Sequence, residues 1–140
     1  MIRISTRGRY ALRAMLDLAL RADEGPVSRQ AIAERQGISA NYVAQLFRSL
    51  AAAQLVTGVK GPGGGYTLAR DPAQISAGDV VRAVEGPVEV VQCTPIPGGP
   101  PCPRIEHCVA SRLWARLSEA LNAILDATTL QELCEEARAL

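Results

Sequence analysis

The chain has 140 residues, 48% of them hydrophobic but only 4% aromatic, and a net charge of +1. That length supports one domain with an appended element, and a core of Ala, Leu, Val and Ile suits packed helices. No apolar run approaches the roughly 20 residues that span a bilayer, and no apolar segment before a small-residue cleavage site marks an export signal. A cytoplasmic protein with no membrane partner is expected.

The near-zero net charge conceals an asymmetry. Through Arg70 there are ten basic residues against four acidic ones, a balance of +6, and the remainder carries −5. A basic half beside an acidic half is the pattern of a polyanion-binding module joined to something else, although ordinary solvated charge also produces it.

Ser5 or Thr6 is placed to cap a first helix, in which Tyr10, Ala11, Ala14, Met15, Leu18 and Ala19 recur at helical spacing. Arg7 and Arg9 fall in its first turn, where they oppose the helix dipole. Phosphate contact is one reason for that placement, and a plain solvated face is the other. Gly25-Pro26 ends the region. Val27 to Arg35 then reads as a short helix capped by Ser28. Gly37 supplies a turn, Ile38 plugs the core and Ser39 caps the next helix, which runs from Ala40 to about Ala52. This is the helix-turn-helix pattern.

The Ala40 helix sorts by face. Val43, Leu46, Phe47 and Leu50 fall at i, i+3, i+4 and i+7 and point inward. Ala40, Asn41, Ala44, Gln45 and Arg48 fall on the other side. Asn and Gln pair bidentately with adenine, Arg reaches guanine or phosphate, and small alanines let the helix sit deep in a groove. Tyr42 lies at the margin, where its hydroxyl bonds a phosphate or its ring seals the core.

Leu55 to Val59 and Tyr66 to Leu68 are short β-prone runs. Between them lies the tip Lys60-Gly61-Pro62-Gly63-Gly64-Gly65. A bare backbone with one cation suits phosphate or a narrow minor groove, and glycine also serves a hairpin for geometry alone. No Lys-Ser/Thr follows the glycines, so a nucleotide-phosphate loop is disfavoured. Ser76 caps a helix from about Ala77 to Val84, and Val88 to Val91 is a short extended run.

The segment from Gln92 to Glu106 is rich in proline and glycine and reads as a loop that needs a staple. Cys93 and Cys102 lie in it, and Cys108 starts the next helix. Structural zinc sites use cysteine pairs two to four residues apart, and no such pair exists here. Widely spaced thiolates fit a larger object such as an iron–sulfur cluster. A regulatory disulfide and structural coincidence stay open. A cluster with three thiolates needs a fourth ligand from His107, Ser111, Glu106 or another subunit. From His107 to about Ala127 a long helix carries Leu113, Leu117, Leu121 and Leu125 in one stripe, widened by Trp114, Ala120 and Ile124. Its cover is a second copy, the chain's own body, or both. Thr128 or Thr129 caps a last helix, in which Cys134 is expected to be buried. One histidine and no nucleophile–base–acid set give an enzyme little support.

Thr6-Arg-Gly-Arg-Tyr-Ala-Leu, Glu34-Arg-Gln-Gly-Ile-Ser, Gln45-Leu-Phe and Gly61-Pro-Gly-Gly-Gly-Tyr66 resemble the Rrf-type winged-helix regulators, and within them the IscR-like, iron–sulfur-sensing branch. The resemblance runs from residue 1 to about residue 133. It implies a mainly α fold with a small β-hairpin wing: a winged helix-turn-helix DNA-binding domain at 1–72, then a sensor loop and dimerisation helix at 73–140. It implies a homodimeric transcription regulator of duplex DNA operators. Ser39, Asn41, Tyr42, Gln45 and Arg48 would lie on the major-groove side, Lys60, Gly61, Pro62, Gly63 and Gly64 on the flanking groove, and Arg7 and Arg9 on phosphates. It also implies a cluster on Cys93, Cys102 and Cys108, [2Fe–2S] ahead of [4Fe–4S]. The sequence departs from the branch at four places. Ser111 stands where a ligating histidine is expected, Gly8 near a ligating aspartate of a related branch, Ala44 at an operator-filtering glutamate, and Lys60 at the wing arginine. The alternatives are a cluster-free regulator that senses through thiol oxidation or a protein partner, and a docking module in which DNA binding is residual.

Overall fold

The computed structural model describes residues 2–93 and 98–140. Met1 and residues 94–97, in the middle of the expected cysteine loop, lie outside the described residues. Six α-helices and one two-stranded hairpin follow in the order α1 (Thr6–Leu20), α2 (Arg29–Gln36), α3 (Ala40–Ala52), β1 (Val56–Val59), β2 (Gly65–Leu68), α4 (Ala77–Glu85), α5 (Val109–Ala127) and α6 (Leu130–Arg138). Short 3₁₀ turns occupy Ala22–Glu24, Pro72–Gln74 and Ile105–His107.

Local chemistry sets the helix starts. Ser5, Ser28, Ser39, Ser76 and Thr129 each accept a backbone N–H of the first turn that follows. At Ser76 the bond is reciprocal: Asp79 accepts the Ser76 N–H at 3.0 Å while the Ser76 hydroxyl accepts the Asp79 N–H at 2.9 Å. Each such cap is worth about 1 kcal/mol. Gly37 ends α2 in the left-handed region (φ +67°), and the Ile38 N–H reaches back to the Ala33 carbonyl at 3.1 Å. This is a Schellman turn, and it sets the angle between α2 and α3.

Most of the predicted core is buried, with Tyr10, Ala31 and Ile38 only half-buried at its edge. Ala11, Ala14, Met15, Leu18, Ile32, Val43, Leu46, Phe47 and Leu50 are almost wholly excluded from solvent and form one cluster with Ile75, Val80 and Leu130. Phe47 is its largest fully buried side chain, and its loss would cost about 3–5 kcal/mol. α4 and α6 both pack on α1, and α4 also packs on α3, so α3 rests on α4 from behind. Cys134 is buried, as expected.

Two expectations change. Val27 is not helical. It pairs with Tyr66 (Val27 N–H to Tyr66 O, 3.0 Å; Tyr66 N–H to Val27 O, 2.8 Å), adding a third strip to the hairpin. The extended Ser28 cap turns the preceding residue out of the helix. The long helix also starts later, at Val109, after the 3₁₀ turn at Ile105–His107.

The leucine stripe of α5 divides. Trp114, Leu121 and Leu125 are half-buried, whereas Val109, Leu113, Leu117 and Ile124 remain exposed, Val109 and Ile124 by 77% and 67%. The C-terminal end of α5 is clamped to the start of α4. The Ala77 N–H donates to the Thr128 carbonyl at 2.8 Å, and the Leu130 N–H to the Ile75 carbonyl at 2.9 Å.

Candidate nucleic-acid interface and cysteine loop

On α3, Val43, Leu46, Phe47 and Leu50 are buried, while Asn41, Gln45 and Arg48 are exposed and Ala44 is half-exposed. The polar face is therefore free of the core. Ser39 accepts the Tyr42 N–H at 3.1 Å, so its oxygen is engaged in capping while its hydroxyl proton stays available. The Tyr42 ring meets Tyr10 edge-on, with centroids 6.1 Å apart, and seals the edge of the core.

The wing is built for close backbone approach. Gly61, Pro62, Gly63 and Gly64 close a turn in which the Gly64 N–H donates to the Gly61 carbonyl at 3.0 Å, with Gly63 at φ +76°. Proline second and a positive-φ glycine third is the type II arrangement. Gly65 has φ +151°, and a Cβ there would run into the Val27 carbonyl. Lys60 is exposed at the base of the tip. The Tyr66 ring lies 4.3 Å from Phe47, centroid to centroid, so the wing and α3 share a core contact.

Arg7 and Arg9 are exposed in the first turn of α1, and Arg9 also donates to the Thr6 hydroxyl at 3.1 Å. Arg13 was not singled out from the sequence, yet it stacks 4.8 Å above the Tyr10 ring and donates to the Gln36 carbonyl and side-chain oxygen at 2.8 and 3.1 Å. Asp17 was also missed. It is 3% exposed and accepts bonds from Arg35 and Gln36. The available signal was a carboxylate within the apolar span of α1, which needs a partner when buried. Together these bonds fix the end of α2 on α1 and hold the α2–α3 turn steady.

In the cysteine loop, the Cys102 N–H donates to the Cys93 carbonyl at 2.6 Å, which brings those two residues together. Cys108 sits at the cap position of α5, and the Ser111 hydroxyl donates to its carbonyl at 2.6 Å. Cys93, Cys102 and Cys108 are free and half-buried, whereas Glu106 and His107 are exposed. Three free thiols on one loop suit a multinuclear iron–sulfur group in chemistry. Among the described residues no three His, Cys, Asp or Glu side chains are gathered closely enough to hold a single ion. Beside Cys93 an open groove of about 450 Å³ runs between Glu89–Val91 and the first half of α5, walled by Trp114 and edged by Arg112. Gly8, near one anticipated ligand position, is buried beneath the Glu85 carboxylate, and that carboxylate accepts the Ser5 N–H at 2.9 Å.

No helix among the described residues is long and apolar enough to cross a membrane. Residues 4–136 match the family model described as Rrf2, iron-dependent transcriptional regulator. The chain is 44% identical over 132 residues to the HTH-type transcriptional regulator IscR of Serratia proteamaculans, covering 94% of this chain and 79% of that one. Among solved structures it is similar to IscR of T. potens, with a TM-score of 0.79 and 37% identity over 97% of this chain and 88% of that one. It is equally similar to CymR, the global cysteine regulator of B. subtilis, with a TM-score of 0.78 and 38% identity over 97% and 98% of the two chains.

Proposed function

This chain belongs to the Rrf2 family of transcriptional regulators, and on that premise we propose that it binds operator DNA as a homodimer and senses iron–sulfur, iron or redox status through its cysteine loop. The observation that carries the DNA reading is the exposed Asn41, Gln45 and Arg48 face of α3, set beside a glycine wing bearing Lys60. Asn41 and Gln45 read adenine edges, and Arg48 reads guanine or a phosphate. Ser39 and Tyr42 flank that surface. Lys60 and the backbone of Gly61, Pro62, Gly63 and Gly64 lie on the neighbouring backbone and narrow groove, and Arg7 and Arg9 neutralise phosphates.

Pairing through α5 is supported by the exposed row Val109, Leu113, Leu117 and Ile124, which has no cover within the described chain. Two-fold pairing presents two reading helices to half-sites about 34 Å, one DNA turn, apart. The work divides between residues 1–72, which bind DNA, and 73–140, which sense and pair.

Cys93, Cys102 and Cys108 hold an iron–sulfur cluster in this reading, [2Fe–2S] ahead of [4Fe–4S]. His107, Ser111, Glu106 or a residue of the second copy supplies the fourth donor. When bound, the cluster supplies an iron- and oxidant-sensitive staple. The chain's own residues do the rest. Cys93 follows a segment fastened to α5, and Cys108 begins α5, so closing the loop constrains where the first turns of that helix lie. A second reading, a cluster-free thiol switch, draws support from the similarity to the cysteine regulator CymR and from the backbone bond between Cys93 and Cys102.

The test is an anaerobic ultraviolet–visible spectrum with iron and sulfide analysis on wild type and Cys102→Ala. A chromophore with acid-labile sulfide, absent from the variant, is the expected result. A colourless wild type whose operator affinity follows thiol oxidation would establish the second reading. For DNA, the Gln45→Ala, Lys60→Ala double variant is expected to lose affinity and specificity. Undiminished binding would remove both residues from the reading surface.

A further inference from the structure

One side chain on α5 touches both the segment that leads into the cysteine loop and the helix that lies behind α3. Asn122, in the second half of α5, donates from Nδ2 to the Val88 carbonyl at 2.8 Å and to the Ser118 carbonyl at 2.8 Å. Its Oδ1 accepts from Arg82 Nη1 at 2.9 Å. Both donors and the acceptor of the amide are used, and turning the amide over would set an N–H against a guanidinium, so the pattern fixes its orientation. One turn earlier, the Ser118 hydroxyl accepts the Val90 N–H at 2.9 Å. The segment that leads into Cys93 is thereby tied to α5 at Val88 and Val90.

The other arm leads to α4. Arg82 also pairs with Asp126 on α5 and lies 3.8 Å from Asp79 on its own helix. This ion pair sits over Gly78. A Cβ at Gly78 would meet Asp126 Oδ1 and the guanidinium ends of Arg82. Gly78 is the second residue of α4, and the close seat of Arg82 and Asp126 leaves no room for a β-carbon there. The helix that carries this seat packs directly on α3, the reading helix, and on α1.

We propose that Asn122, Arg82 and Asp126, seated on Gly78, form the coupling latch that transmits the state of the cysteine loop to the reading helix. This rests on the sensing reading given above. The three are positioning residues: none lies on the reading face of α3 or among the cysteines. When the loop shifts, Val88 moves on the Asn122 amide, and Arg82 is drawn with it or released. Arg82 in turn sets how α4 lies behind α3.

Three variants interrupt the latch at different points. Asn122→Asp keeps an acceptor for Arg82 but loses the donor to Val88, so it weakens the loop arm alone and leaves Ser118 as its remaining tie to α5. Arg82→Gln severs the helix arm and leaves the Asn122–Val88 bond. Gly78→Ala displaces the flexible ends of Arg82 and Asp126 without removing either side chain, so it disturbs the seat of the ion pair alone. The measurement is operator affinity of the full-length dimer, iron–sulfur-loaded and iron-free, with amide hydrogen exchange on the iron-free protein.

The expected result is that iron-free affinity stays within about twofold of wild type in all three, while the loaded-to-free affinity ratio falls towards one. Exchange at Val90 should quicken in Asn122→Asp but not in Arg82→Gln, whereas exchange in α4 should quicken in Arg82→Gln and Gly78→Ala. Arg82→Lys, which keeps the charge and a donor, should restore part of the ratio. A wild type whose affinity does not depend on loading would overturn the sensing reading and this inference with it. A wild type that depends on loading, with all three variants keeping its ratio, would overturn this inference alone.

Discussion

Arg35 grips Asp17 with two parallel bonds, Nε to Oδ2 at 2.9 Å and Nη2 to Oδ1 at 2.7 Å. The pair is asymmetric: the Asp17 side chain is 2% exposed and that of Arg35 is 33%. The cost of breaking it should therefore depend on which partner goes. Arg35→Ala leaves a buried carboxylate with only Gln36 as donor, and a loss of about 3 kcal/mol is expected. Asp17→Asn keeps an acceptor and frees an arginine that can turn to water, and should lose about 1–2 kcal/mol. Urea denaturation at pH 7 ranks the two. The reverse order would mean that Asp17 is solvated in solution.

The same pair predicts a pH dependence. Burial pushes the Asp17 carboxyl up, but the bonds from Arg35 and Gln36 and the Arg35 charge together pull it below its ordinary value. A carboxylate with a lowered folded pKa adds stability that is complete above its unfolded pKa of about 3.9. That stability is lost as pH falls through the lower folded value. The gap between wild type and Asp17→Asn should be constant from neutral pH to about 5 and close below about 4. Denaturation midpoints of the two proteins across pH 3–7 measure it, and a gap that widens on acidification would contradict the sign.

What the sequence made legible was what adjacent residues decide. Serine three residues ahead of an N–H reads as a cap because the bond is local, and Ser28, Ser39 and Ser76 all serve so. The two faces of α3 follow from helical period alone. Pairings between distant segments were not legible: Val27 with Tyr66 and Glu85 with Ser5 join chain positions whose proximity no local pattern encodes. Nor was the polar work on α5. Its leucines drew the reading towards a simple seam, yet Ser118 and Asn122 on that helix bind the backbone of the Val88–Val90 segment. At the candidate site, the exposure of Asn41, Gln45 and Arg48 was readable from sequence, whereas the grouping of the cysteines depends on how the loop closes.

Gln54 departs from the glycine pattern. It follows α3 with φ +62°, a conformation that costs a β-carbon-bearing residue about 1 kcal/mol. Its backbone carbonyl accepts from Arg70 Nε at 3.4 Å, which any residue can provide. Gln54→Gly is expected to stabilise the protein by up to about 1 kcal/mol, with operator affinity unchanged. Thermal denaturation is the check, and a destabilised variant would show that the Gln54 side chain contributes more than its backbone strain costs.

Gly65→Ala should act in the opposite direction. The left-handed φ and the Val27 carbonyl both exclude a β-carbon, so the Val27–Tyr66 pairing must open. A loss of about 1–3 kcal/mol is expected. Because Tyr66 contacts Phe47, the wing would also lose its register on α3, and operator affinity should fall at permissive temperature even where the fold survives. Full affinity in a folded Gly65→Ala protein would separate the wing from DNA binding.

Lys60 and Gln45 should fail in different ways if they meet different parts of the duplex. A lysine on a phosphate contributes through counterion release, so Lys60→Ala should weaken binding alike on matched and mismatched operators. It should also reduce the slope of log K against log salt by about one. A glutamine on a base edge contributes nothing to that slope. Gln45→Ala should leave the salt slope intact and cost about 1–3 kcal/mol on the matched operator only, narrowing discrimination at one or two base pairs. Binding isotherms for both variants at several salt concentrations, on a matched operator and a set of single-base changes, separate the roles. A Gln45→Ala protein that loses affinity equally on every sequence would place Gln45 on the backbone and leave base reading to Asn41 and Arg48.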